Sequence, residues 1–204
     1  MNEKFFSLPA EKQQAILNAG YRVFSQNSYK KSPMSEIAGE AGISKALLFH
    51  YFRNKKELYL FLWEKCAETT MEYLKKYDCY GQSDLFESMT RGMQAKMAII
   101  RQFPHMGAFT LKAFYEKDPE INAAIQESYH RHFNFKANST LLNLNPDQFI
   151  PGLDIKMMYL DMYWASEGYL WELVQRGNVD LDQMEQSFYR MISFWKSVYL
   201  RKEG

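Results

Sequence analysis

Residues 32–58 read SPMSEIAGEAGISKALLFHYFRNKKEL. Met34, Ile37, Ala38 and Ala41 fall at helical spacing, Gly42-Ile43 interrupts them, and Leu47, Leu48, Phe49 and Phe52 resume the pattern. A short helix, a glycine-bearing turn and a second short helix are the parts of a bihelix that reads DNA. The punctuation has physical causes. Ser32 suits an N-cap and Pro33 the first helical position, where a missing N–H costs nothing. Gly42 is free to take the positive φ that closes a helix, and Ser44 suits the cap of the next. Asn54 with Glu57 three residues on predicts a box-like cap for a longer helix. Ile37, Ile43, Leu48 and Phe52 are expected beneath the bihelix, joined by Ile16, Val23 and Phe24 from upstream.

Working outward, helical periodicity continues over nearly the whole chain, and sustained apolar/polar alternation is scarce. Helices are expected at about 9–26, 33–41, 44–51, 55–77, 83–102, 105–117, 119–142, 154–176 and 181–201. Prolines 104, 119, 146 and 151 punctuate the second part, and Asn145–Gly152 is its clearest loop. The fold class is therefore all-α with about nine helices. A three-helix, helix-turn-helix head over residues 1–55 (motif about 33–52) is followed by a larger helical body over 56–204.

Composition narrows the classes of function. With 47% hydrophobic and 24% charged residues the 204-residue chain belongs with folded globular proteins. No apolar run approaches the roughly 18–20 residues of a membrane span, and Met1–Pro9 lacks the core of an export signal, so a cytoplasmic protein is expected. Cys66 and Cys79 make neither a disulfide framework nor a metal quartet. Net charge is +1, yet residues 1–56 carry +5 and the remainder −4, which puts the attraction for phosphate at one end. No glycine-rich phosphate loop, nucleophile elbow or metal motif appears, so no enzyme and no cofactor are expected. His130 and His132 are two apart and diverge on a helix rather than converging on a metal.

The head resembles the DNA-binding domain of the TetR family of bacterial regulators. The residues that carry the likeness are Ala19, Phe24, Tyr29, Ser32, Ile37-Ala38, Ala41-Gly42-Ile43-Ser44-Lys45, Leu48, His50-Tyr51-Phe52, Asn54-Lys55 and Glu57-Leu58, without a gap over roughly residues 9–65. The resemblance implies that the second helix of the motif enters the major groove of a palindromic operator. The expected DNA-contacting set is Ser32, Ser35, Ser44, Lys45, Ala46, Leu47, Phe49, His50, Tyr51 and Lys55. Lys45 suits a guanine edge or a phosphate, and Phe49 either a thymine methyl or the core. His50 and Tyr51 resemble the family's phosphate-contacting pair, and Lys55 adds a charge at a helix start. Ala46, Leu47 and Ser28 stand where the family commonly has glycine, threonine or serine, and glycine.

The body is expected to dimerise and to bind a small effector. Met184, Phe188, Met191, Trp195 and Val198 recur at 4-3-4-3 spacing. In the preceding helix Ile155, Tyr159, Met162, Ser166, Tyr169 and Leu173 form one stripe. Leu153, Met157, Leu160, Trp164, Trp171 and Val174 form another. A helix apolar on two faces needs two partners, one of which a second copy supplies. The dimer seam is assigned to Tyr159, Met162, Ser166, Tyr169, Met184, Phe188, Met191 and Trp195, matching the last-two-helix bundle that the resemblance implies. For the effector, apolar or aromatic, Phe86, Met89, Met93, Phe109 and Phe133 are candidate contacts, with Tyr163, Glu167 or His132 as polar anchors. The expected function is a homodimeric regulator of transcription, a repressor released from its operator by that effector. The alternative is a ligand-independent, architectural DNA-binding protein.

Overall fold

The computed structural model describes residues 3–141, 144–176 and 180–202, side chains at 133–141, 174 and 175 excepted. Its helices are α1 (Glu3–Phe6), α2 (Ala10–Gln26), α3 (Met34–Glu40), α4 (Lys45–Tyr51) and α5 (Lys55–Lys76), followed by α6 (Leu85–Gln102), α7 (Met106–Tyr115), α8 (Asn122–Leu141), α9 (Ile155–Arg176) and α10 (Leu181–Tyr199). A 3-10 turn occupies Pro146–Gln148. The described residues contain no strand, only an isolated bridge between Phe149 and Leu200. The chain is all-α, and every helix read from the sequence is present. No described helix is long and apolar enough to cross a membrane.

The local signals explain most boundaries. Gly42 sits at φ 67°. Ile43 N–H donates to the Ala38 carbonyl at 3.0 Å and Gly42 N–H to that of Gly39 at 3.1 Å, the paired bonds of a Schellman end to α3. Ser44 Oγ accepts the Leu47 N–H at 3.1 Å and so caps α4. Asn54 Oδ1 accepts the Glu57 N–H at 2.8 Å, and the Glu57 carboxylate takes the N–H of Arg53 at 2.9 Å, one residue earlier than in the usual box. The expected cap of α3 is corrected. Pro33 is the cap residue and bonds through no side chain, because the Ser32 hydroxyl turns back to donate to the Ser28 carbonyl at 3.0 Å. Helix α1 was not expected; at four residues it is too short to show periodicity, and it is held by Phe5 against Phe52 and Phe61 at 5.4 and 5.1 Å.

The described residues form two compact units. The first, Met1–Thr69 with Ile100–Phe133, joins the helix-turn-helix to α7 and most of α8. Its centre is aromatic: Tyr59 lies 4.7 Å from Phe24, 5.2 Å from Tyr29 and 5.1 Å from Phe109, ring centre to ring centre. Ile16, Ile37, Leu48, Phe52 and Leu62 close around these rings with no more than 1% exposure. Each such side chain contributes about 1.5–3 kcal/mol by burial. A Cβ on Gly20 would come within 2.5 Å of Leu62 Cδ1, so glycine lets α2 approach α5 closely. Both cysteines are buried thiols, and burial pushes that of Cys66 up to about 12.

The second unit, Thr70–Ile99 with Asn134–Gly204, packs Leu85 and Phe86 of α6 against Met158, Tyr159 and Met162 of α9 and Ile192 and Trp195 of α10. Phe149 completes this core. Its loop is pinned to the chain end by Ile150 N–H on the Tyr199 carbonyl at 3.0 Å and Arg201 N–H on that of Gln148 at 2.9 Å. The residues expected at a dimer seam lie in and around this core. Tyr159, Met162, Ser166, Met184, Phe188 and Trp195 are all buried within their own subunit, and Met191 packs at the edge of the same core. Tyr169 meets the Phe188 ring at 5.6 Å. The solvent-facing residues of α9 belong to the other stripe: Met157, Trp164 and Trp171 are exposed, as are Phe194 and Val198 of α10. Of that stripe, the side chain of Val174 lies outside the described residues.

Candidate nucleic-acid interface and cavity

Helix α4 is held from below by Leu48 and Tyr51 and presents the rest of its surface. Lys45, Ala46, Leu47, Phe49 and His50 are exposed, with Leu47 and Phe49 near two-fifths of their full area. Lys45 Nζ lies 5.9 Å from the Phe49 ring centre, so a cation and an apolar ring make one patch on the first turn. Ser35 is exposed on α3, and Ser44 stands at the head of α4.

Two of the expected contacts are placed differently. Ser32 has no exposure and its hydroxyl is bound to Ser28, so it has no surface for a phosphate. Tyr51 is buried beside the His50 ring and has little surface to offer. Lys55 is half-buried; its ammonium donates to the Lys30 carbonyl at 2.9 Å and lies 4.8 Å from the Tyr29 ring centre. Its charge thus stands over the turn between α2 and α3.

That turn is braced by residues the sequence did not single out. Glu116 accepts the Tyr29 N–H at 2.9 Å, Asp118 pairs with Lys30 at 3.2 Å, and Lys112 donates to the Ser25 carbonyl at 3.2 Å. The Glu120 N–H and Lys30 together hold the Asp118 carboxyl below the usual carboxylate range. These partners are more than 80 residues apart in sequence, so no local pattern announces them.

A cavity of about 100 Å³ opens in the second unit between α6, α9 and α10. Met89, Met93 and Met162 line it with Tyr163 and Phe188. Its charged feature is Lys96, whose Nζ lies 3.5 Å from Glu167 Oε1. The room is below the roughly 300–1,000 Å³ of a typical small-molecule site, so a larger ligand enters only as the methionines repack. Four expected effector contacts, Met89, Met93, Tyr163 and Glu167, come together here. Phe109 does not: it is buried among Tyr21, Phe24 and Tyr59 in the first unit. Phe86 packs in the core of the second unit, and His132 faces Glu64 at 3.6 Å in the first. The side chain of Phe133 lies outside the described residues.

Comparison with known proteins decides what this arrangement is. Residues 16–61, from α2 into α5, match the family described as bacterial regulatory proteins, tetR family. A TetR family transcriptional regulator from Chloroflexus aurantiacus J-10-FL superposes with a TM-score of 0.67 at 20% identity, covering 98% of each chain. Residues 16–61 thus form a TetR-family DNA-binding head. Two further likenesses are with regulators from Bacillus subtilis. A fatty acid metabolism regulator protein of strain 168 is 20% identical over 152 residues, 72% of this chain and 75% of that one. The transcriptional regulator FadR, solved in complex with stearoyl-CoA, gives a TM-score of 0.61 at 18% identity over 87% of this chain and 96% of its own. Such a head is that of a DNA-binding regulator of transcription rather than of an enzyme.

Lys96 is the charged residue of the cavity that sequence reading missed. A lysine on an amphipathic helix is usually a solvated face, and only the fold brings it to Glu167, 71 positions away.

Proposed function

We propose that this TetR-family regulator is a homodimeric, cytoplasmic repressor that grips a palindromic operator through α4 of each head and lets go when an apolar effector enters the cavity of its second unit. Residues 1–55 then read DNA, and 56–204 bind effector and dimerise. The observation that carries the reading is the exposed face of α4, where Lys45, Phe49 and His50 are exposed on a helix anchored by Leu48. One such helix reads only a few base pairs, so two heads spaced about one turn of duplex, roughly 34–36 Å, are needed. The fatty-acid connection of the Bacillus subtilis relatives, together with the methionine-rich lining, favours a fatty-acyl effector. Effector binding is proposed to favour a conformation in which the spacing of the two heads no longer matches the groove.

Selection of bound duplexes from a random pool tests the first half. One enriched palindrome is expected, with affinity that falls steeply as salt rises. Failure to retain any duplex at low ionic strength sinks the reading. Titrating fatty acids and acyl-CoA thioesters into the protein–operator complex tests the second half, and release is expected. The small room in the cavity favours one other reading, a ligand-independent DNA-binding protein, and operator binding that no acyl compound weakens would establish that one instead.

A further inference from the structure

The Lys96–Glu167 pair is an uneven one. At 3.5 Å it is longer than the roughly 2.7–2.9 Å of a charge-assisted hydrogen bond, so the two charges face each other without a tight bond. The Lys96 side chain is 28% exposed, and its ammonium lies 5.9 Å from the ring centre of buried Phe188. The Glu167 side chain is 41% exposed and precedes Gly168, itself at the surface. A carboxylate with water beside it can leave; the ammonium is the charge that stays in the apolar wall.

We propose that Lys96 anchors the anionic head of an amphiphilic effector and that Glu167 is the counter-ion this head displaces. The inference rests on the reading of the cavity as the effector site, and it names the chemistry that site accepts. Exchanging one carboxylate for another leaves the charge around Lys96 unchanged, so no uncompensated charge is created in the wall. A neutral head gains no such contact, and a cationic head meets Lys96 as a like charge. The lysine ammonium is a compact point charge that suits carboxylate and phosphate alike. The anion therefore has two sources, a free fatty acid or the phosphates of a CoA thioester. Lys96 is on α6 and Glu167 on α9, so the exchange also unties a link between those helices.

Calorimetric titration of the full chain without DNA separates the possibilities, using decanoate, decanoyl-CoA, decanol and decyltrimethylammonium below their micellar concentrations. At least one of the two anions is expected to bind roughly 10- to 100-fold tighter than decanol, the margin one charge-assisted hydrogen bond provides. Whichever anion shows the margin identifies the source. Lys96→Met should erase that margin and leave decanol unchanged. Glu167→Gln, which removes the competitor, should tighten the anion several-fold and serves as the decisive variant if Lys96→Met does not fold. Equal affinity for anion and alcohol, a margin that survives Lys96→Met, no tightening in Glu167→Gln, preference for the ammonium amphiphile, or no binding of any of the four overturns the inference. Operator binding measured on the same preparations is independent of all of these, so a failure of head-group recognition is distinguishable from a failure of the regulatory reading.

Discussion

Lys45 and Lys55 carry the same charge in different settings, and their substitutions should not look alike. Lys45 is exposed on the first turn of α4, its ammonium 5.9 Å from the Phe49 ring centre. Lys45→Ala is expected to leave thermal stability unchanged and to alter base preference in a selection from random duplexes. Lys55 is tied to the Lys30 carbonyl and the Tyr29 ring. Lys55→Ala is expected to weaken binding to cognate and random DNA equally and to reduce the salt slope by about one unit. It should also lower stability by about 0.5–1.5 kcal/mol, the worth of one internal hydrogen bond. Equal changes in base preference for both variants would refute the division of roles. Asp118 offers a test by pH. Its folded-state pKa lies below the ordinary value, so its contribution is full above that value and is lost as pH falls through the folded one. Asp118→Asn should therefore be less stable than the parent near neutral pH, and the gap should close below about pH 4. A gap that persists unchanged in melts at lower pH would show that the Lys30 pair and the Glu120 N–H bond are not its source.

At the scale of the element, what the sequence made legible is what is settled within five residues or so. Gly42, Ser44 and Asn54 each act through bonds to near neighbours, and each sits where the pattern of residues placed it. Gly42 isolates one energetic effect. A Cβ there would meet nothing within 4 Å, so Gly42→Ala adds no clash and only forces an L-residue to φ 67°. Its expected cost in denaturant unfolding is about 1–2 kcal/mol. A neutral result would mean that the α3–α4 turn relaxes to another conformation. Ser32 shows the limit of local reading, since a nearby carbonyl at Ser28 outcompeted the helix end for its hydroxyl. Phe109 shows another limit: an aromatic residue in the middle helices suits an effector contact, and no local pattern says that α7 packs into the aromatic centre of the head. Long-range partners such as Glu116 for Tyr29 leave no trace in any window of sequence.

At the scale of the whole molecule the two stripes of α9 have different surroundings. Hydrophobic spacing predicts that both stripes are covered, but it does not say which one the subunit covers itself. Met158, Tyr159 and Met162 go to the internal core, which leaves Met157, Trp164 and Trp171, seven residues apart, facing solvent beside Phe194 and Val198 of α10. An exposed run of large apolar side chains on two long helices is the kind of surface that a second copy covers. The two faces then predict opposite failures. Trp164→Glu or Phe194→Glu should leave helix content and melting cooperativity intact while converting the protein to monomers in sedimentation. With only one head engaged at a time, operator affinity should fall by about 100-fold or more, the avidity that joining two heads supplies. Phe188→Ala, on the face first assigned to the seam, should instead cost about 3–5 kcal/mol of folding stability, because it empties a buried core position. If Trp164→Glu and Phe194→Glu both sediment as dimers with parental operator affinity, the subunits meet through some other surface and the proposed geometry of the two heads has to be abandoned.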